Sequence, residues 1–136
     1  MAEARAPRGI LDTSVVIDLE SIEARSLPTE VAITALTMAE LAAGPHAATS
    51  SDERARRQDR LQRTEAAFAP LPFDAEAARA YGRIYAAVGS AGRKARGARA
   101  VDLMIAAIAC SVDLPLYTRN PKDFAALEGL VEIVAV

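Results

Sequence analysis

The chain has one cysteine and one histidine in 136 residues, and each scarcity closes off a class of chemistry. Cys110 alone cannot close an internal disulfide, and a count of one favours a reducing compartment. It lies in an apolar stretch, where a thiol packs rather than reacts. With His46 the only imidazole, and no serine-nucleophile motif, triad chemistry has no support; His46 follows Gly44-Pro45 and reads as a surface loop residue. No window approaches the ~18 consecutive apolar residues of a membrane span. The N-terminal MAEARAPRG carries no apolar signal segment, so a soluble, cytoplasmic protein is expected. Positive charge is not in excess either. Sixteen Lys and Arg stand against eighteen Asp and Glu, a net charge of −2, whereas domains that coat nucleic acid by charge alone are strongly basic. That balance leaves room for an enzyme that meets phosphates through a bound cation.

What is present is an ordinary globular balance, 51% hydrophobic and 25% charged, in a length that suits one domain spanning residues 1–136. Short strand-like runs alternate with helical ones, the pattern of an α/β domain with a parallel sheet. Gly9-Ile10-Leu11 reads as a strand ending at Asp12, with the apolar segment Val15 to Leu19 after it. Val31-Ala32-Ile33 reads as a second strand, leading to a helix from Thr37 that stops at Gly44-Pro45. A charged helix from Asp52 to Ala69 follows, then a marginal strand at Leu71-Pro72-Phe73, whose proline restricts it to an edge or a strand start. Asp74 caps a helix reaching Val88; Ser90 to Gly97 is loop-like. Ala100 to Ser111 is helical, Leu114 to Thr118 a strand, Pro121 to Leu127 a short helix, and Val131 to Val136 a last strand.

The helix Ala100–Ser111 is apolar nearly all round, as a buried helix is. Asp102 in its first turn is the only ionisable residue between Arg99 and Asp113, and a carboxylate there costs several kcal/mol unless paired. Three further acidic positions sit at strand ends or helix starts: Asp12, Glu40, and Asp123 beside Asn120. In an open parallel sheet the carboxyl ends of the strands share one edge, so residues scattered in sequence converge there. Converging carboxylates repel unless a cation neutralises them, and oxygen donors of this kind suit Mg²⁺ or Mn²⁺. Such a cation activates water and neutralises a phosphodiester. Each residue also has a purely local use. Asp12 fits an N-cap, Thr37-Met38-Ala39-Glu40 fits a capping box, and Asn120-Pro121 fits a helix start that includes Asp123. Only the conjunction at one kind of junction, with Asp102 on a helix that has no polar face, favours a site.

The segments LDTSVVIDL, TMAEL, RKARGARAVDLMIAAIA and YTRNPKDF resemble, in order and spacing, the PIN-domain ribonucleases, above all the VapC toxins of toxin–antitoxin pairs. The resemblance implies a PIN-like doubly wound parallel sheet flanked by helices. It also implies an endoribonuclease that hydrolyses RNA phosphodiesters by metal-activated water with Mg²⁺ or Mn²⁺, a homodimer, and inhibition by a VapB-type antitoxin. Carried over by position, Asp12, Glu40 and Asp102 match the metal carboxylates, and Ser14 matches a hydroxyl kept near the site. The fourth position, often Asp in the family, is Asn120 here, with Asp123 close by to supply charge.

Two basic stretches are candidates for RNA. Arg93, Lys94, Arg96 and Arg99 crowd a glycine-containing segment just ahead of Asp102, and Arg96 and Arg99 are the expected phosphate contacts. Arg56, Arg57, Arg60 and Arg63 share one face of the charged helix, which suits solvent, RNA or the antitoxin. The rival from another class is a catalytically silent PIN-like protein acting through a partner. An aspartyl-nucleophile phosphatase wants a second Asp two residues after the first, and position 14 is Ser.

Overall fold

The carboxyl ends of two parallel strands, one ending at Leu11 and the other at Thr118, lie side by side at the centre of the sheet. The computed structural model describes residues 7–93 and 97–136. Its strands are β1 (Arg8–Leu11), β2 (Glu30–Ala32), β3 (Leu116–Thr118) and β4 (Ile133–Ala135), all parallel in the order β2-β1-β3-β4. The chain builds outward from β1 to β2 on one side, then crosses to β3 and β4 on the other. The doubly wound topology therefore has its switch point between β1 and β3, where α/β sheets place their ligands. The helices are α1 (Thr13–Ile17), α2 (Ala35–Ala47), α3 (Ser51–Ala67), α4 (Ala75–Ser90) and α5 (Ala98–Val112). The segment Pro121–Leu127 is a 3₁₀ helix rather than an α-helix. Among the described residues no helix is long and apolar enough to cross a membrane.

Successive strand residues point to opposite faces, and both faces are buried. Ile10 and Leu116, partners in register, belong to the core made with α4 and α5; Leu11 and Tyr117, the next pair, belong to the core made with α1 and α2. This explains why the strands read as continuous apolar runs rather than alternating ones. Helix α5 supplies Leu103 and the run Ile105 to Ala109 to the first core, all buried, as its all-round apolarity requires. Gly97 opens that helix at φ 58, a backbone region that favours glycine.

Several boundaries differ from the sequence expectation. Helix α2 begins at Ala35 because Thr34, not Thr37, is its cap: the Thr34 hydroxyl accepts the Thr37 N–H at 3.2 Å. The helix also continues through Gly44-Pro45 to Ala47, so His46 lies in its last turn and not in a loop. The guanidinium of Arg57 donates to the Gly44 carbonyl at 2.9 Å, and Arg54 donates to that of Pro45 at 3.3 Å. Arginines of α3, whose cap is Ser50, thus bond carbonyls in the last turn of α2, of which that of Pro45 also accepts the Ala48 N–H at 3.3 Å. Leu71 forms an isolated parallel bridge with Thr34 rather than a strand. Asp74 caps α4 as expected, accepting the Ala77 N–H at 2.9 Å.

Gly9 is the point of closest backbone approach inside this layer. A Cβ there would stand 2.7 Å from the Tyr117 ring and 3.0 Å from the Pro28 ring, and Tyr117 is buried and cannot swing aside. Gly9→Ala is therefore expected to destabilise the protein by ~1–3 kcal/mol, read as a lower midpoint in urea at an unchanged slope.

Candidate metal centre

Asp12 directly follows β1 and caps α1 with its backbone: its carbonyl accepts the N–H of Val15 at 3.0 Å and of Val16 at 3.2 Å. Its side chain makes no cap bond. The carboxylate is instead nearly out of water, 4% exposed, and its Oδ2 accepts two hydroxyl protons, from Thr118 at 2.6 Å and from Ser14 at 3.1 Å. Those bonds offset the cost of burying the charge. Both hydroxyls are themselves fixed. Thr118 Oγ1 accepts the Asn120 N–H at 3.0 Å, and Ser14 Oγ accepts the Arg119 N–H at 3.1 Å. The first turn of α1 is in this way tied to the end of β3. The alternative use of Asp12 as a side-chain cap is not the one the fold adopts.

Glu40 stands on α2 nearly two turns past its start, too far inside to reach the helix cap, so the capping-box alternative falls. The Thr13 hydroxyl donates to its Oε1 at 2.7 Å. Thr13 Oγ1 also bonds the hydroxyl of Thr37 at 2.9 Å. Asp102, half-buried in the first turn of α5, is the group most affected by its surroundings. Burial, then the charges of Asp12, Glu40 and Asp123, push its carboxyl up to about 7, against a weaker opposing pull from Arg99. Three acidic candidates thus act on the fourth through their charge. Arg99 joins them from α5: its Nη1 donates to the Asp123 carbonyl at 3.3 Å and its Nη2 stands 4.0 Å from Asp123 Oδ1. Arg93 similarly donates to the Lys122 carbonyl at 3.1 Å.

Asn120 enters differently. It is exposed, its backbone N–H is held by Thr118, and its side chain forms no cap bond. The charge that reaches Asp102 from this segment is that of Asp123. Arg96 lies outside the described residues. The sequence reading missed the hydroxyls of Thr13, Thr37 and Thr118, whose only signal was their place inside the LDTS, TMAEL and YTRN segments.

The donor set is one of hard oxygens with uncompensated negative charge, the chemistry a small divalent cation requires. Among the described residues no three His, Cys, Asp or Glu side chains are grouped tightly enough to form a metal-holding cluster. A small divalent cation takes only one or two carboxylates and keeps several waters, and the buried Asp12 and the charge-stressed Asp102 would be the residues to hold one.

A carboxyl raised in the folded state binds more protons there than in the unfolded chain, so it favours folding less as pH rises. For Asp102 the window runs from the ordinary carboxylate value of 3.8 to about 7. In EDTA, Asp102→Asn should match the parent near the bottom of that window and gain stability as pH rises. The gain should level off above the window at ~3–6 °C in Tm, a figure reduced for the screening that a half-exposed group enjoys. Thermal scans across pH 4–8 check this; a variant less stable at the top of the window than the parent would mean the Asp102 charge is favourably paired.

Comparison with known proteins identifies the family. Residues 10–130 match the PIN domain. The chain is 42% identical over 133 residues to ribonuclease VapC5 of Mycobacterium tuberculosis, covering 94% of this chain and 95% of that one. It superposes with a TM-score of 0.84 on the crystal structure of VapBC-5, a member of the VapBC toxin–antitoxin family from the same organism, at 41% identity and covering 96% and 99% of the two chains. It also superposes on FitAcB from Neisseria gonorrhoeae with a TM-score of 0.68 and 27% identity, covering 91% and 94%. With a family match over residues 10–130, most of the chain, the chain belongs to the PIN-domain family.

Proposed function

We propose that this chain is a divalent-metal-dependent endoribonuclease and the toxin of a VapBC-type toxin–antitoxin pair. The observation that carries the reading is the Asp102 carboxyl, pushed toward neutrality by burial and then by the charges of Asp12, Glu40 and Asp123 acting on it. A fold gains nothing in stability from such a cluster, whereas Mg²⁺ or Mn²⁺ binding gains a great deal. When bound, the cation supplies neutralisation of phosphodiester charge and a more acidic water. Asp12 and Asp102 hold it. Glu40 stands at the exposed side of the cluster, where its carboxylate serves as a further ligand or takes a proton from the attacking water. Asp123 supplies the fourth charge, and the exposed Asn120 lies next to the path of the substrate. Arg99, with Arg96 just ahead of it in the sequence, meets substrate phosphates. Ser14 orients the Asp12 carboxylate and lies within reach of the same substrate.

The partner reading has its own support. A groove of about 390 Å³ runs between α1 and α3, lined by Leu11, Val16, Ile17, Leu19 and Phe68 and bordered by Arg56, Arg60 and Arg63 together with Glu20 and Asp59, both of which pair with Arg63. The apolar floor suits an antitoxin segment with an apolar face better than it suits RNA, which offers no apolar stripe. A homodimer is the assembly the resemblance implies, and light scattering on the purified chain checks it.

The deciding experiment is digestion of RNA by the purified chain with EDTA, Mg²⁺ or Mn²⁺. Cleavage should need the cation, and Asp102→Asn and Glu40→Gln should each slow it by ~100-fold or more while remaining folded by circular dichroism. A parent protein that binds its antitoxin but cuts no RNA under any cation would establish the silent-binder alternative. Asp123→Asn should raise the Mg²⁺ concentration needed for half-maximal rate, since it removes a charge from the cluster; an unmoved midpoint would take Asp123 out of the site. Arg99→Ala should weaken RNA binding and flatten its salt dependence by about one unit of slope. The same loss from Arg56→Ala with Arg60→Ala, and not from Arg99→Ala, would put the RNA on the α3 face.

A further inference from the structure

Thr13, Thr34 and Thr37 form a buried line of hydroxyls behind the site, and their hydrogen-bond donors can be assigned by counting protons. Thr37 is fully buried and Thr13 is 8% exposed, so neither relies on water. Thr13 has one hydroxyl proton, and it goes to Glu40 Oε1. The 2.9 Å contact between the two threonine oxygens must then be Thr37 donating to Thr13. The usual local partner of a helical threonine hydroxyl is the carbonyl four residues back, here that of Ile33, which already accepts the Leu71 N–H at 2.9 Å. Thr37 itself is anchored by its N–H on the Thr34 hydroxyl. The direction of donation therefore runs outward, from the buried start of α2 through α1 to a carboxylate on the exposed side of the site.

We propose that Thr13 and Thr37 are positioning residues that hold the Glu40 carboxylate in its working orientation. The proposal rests on the reading of Glu40 as part of a metal-dependent ribonuclease centre. Glu40 has three rotatable bonds and stands exposed, so an unanchored side chain would spread over many rotamers and lose that freedom at each encounter with cation and substrate. A donated hydrogen bond to Oε1 removes that freedom beforehand. A hydroxyl that accepts one bond while donating another is also the stronger donor, which gives Thr37 a role although it does not touch Glu40. Oε1 is committed to Thr13, and Oε2 remains the oxygen for cation or water.

The test uses Thr37→Val, which keeps the shape and deletes the hydroxyl, and Thr37→Ser, which keeps the hydroxyl. Each is made in the full chain with and without Glu40→Ala. Mn²⁺ affinity is read by calorimetry, cleavage by initial rates, and folding by Tm in EDTA. Thr37→Val should weaken Mn²⁺ binding and lower kcat by about two- to tenfold, the value of one neutral hydrogen bond, with KM for RNA unchanged. Thr37→Ser should stay within about twofold of the parent. In the Glu40→Ala background Thr37→Val should have no further effect on Mn²⁺ affinity, because the relay then ends on nothing. An equal loss in both backgrounds, or a Thr37→Val variant with the parent's affinity and rate, overturns the proposal. A parent that binds Mn²⁺ but cuts no RNA overturns the ribonuclease reading, while the Mn²⁺ cycle still decides the relay. A parent that binds no Mn²⁺ overturns both.

Discussion

The proton that Thr118 gives to Asp12 across 2.6 Å is the contact on which most of this molecule turns. It joins the ends of the two central strands at the one place where a parallel sheet opens outward, and it holds a carboxylate that is almost entirely out of water. That bond exists only in one register. With Leu11 opposite Tyr117, the next residues on the two strands are Asp12 and Thr118. A slip of one residue would send every strand side chain to the other face. A slip of β1 against β3 would turn Ile10 and Leu11 toward the wrong cores and take the Thr118 hydroxyl from the buried Asp12, leaving it only the bond from Ser14. Core and site are therefore specified by the same alignment, and neither can be repacked without moving the other.

The charge arrangement works against folding. Asp102 lies on the helix with the most apolar surroundings in the chain, and its carboxyl resists ionising because burial and three other carboxylates oppose it. Stability has to come from elsewhere, and α5 contributes it directly: the turns that follow Asp102 supply Leu103 and five consecutive buried residues to the larger core. Local rules of protein construction are broken mainly where function requires it, and here the break and its compensation sit on one helix. Arg99, a turn earlier, moderates the conflict without ending it, since its guanidinium bonds the backbone carbonyl of Asp123 and stands farther from that residue's carboxylate.

How much of this was legible in the sequence depended on distance along the chain. The alternation of strands and helices, the burial of α5 and the isolation of Asp102 within it are local patterns, and they were readable. So was the cap at Asp74. The choice between Thr34 and Thr37 as the start of α2 was not, because both are threonines before apolar residues, and the bridge from Thr34 to Leu71 that settles it is tertiary. The capping-box alternative for Glu40 stayed open in the sequence for the same reason. The hydroxyl contacts join residues 24, 27 and 106 positions apart, and no periodicity announces a pairing of that span. Between Asn120 and Asp123 the sequence leaves two choices, and the field at Asp102 does not decide between them, because a neutral amide contributes no charge to it. The continuation of α2 through Pro45 was likewise hidden, since donors to its last carbonyls come from arginines on the next helix.

The short helix α1 connects what would otherwise be separate features. Its five residues follow Asp12, and Thr13 and Ser14 in its first turn bond Glu40 and Asp12, while Val16 and Ile17 one turn later line the groove against α3. A helix of that length has little cooperativity of its own, so its position is dictated by what both ends touch. At one end the dictating contacts are hydroxyl bonds to carboxylates; at the other they are apolar side chains, with Ile17 left 46% exposed. An occupant of the groove would cover Ile17 and press on the same backbone that aims Thr13 at Glu40. The acidic site and the apolar groove thus share one mechanical part, and a ligand in the groove need not reach the carboxylates to change how they are held.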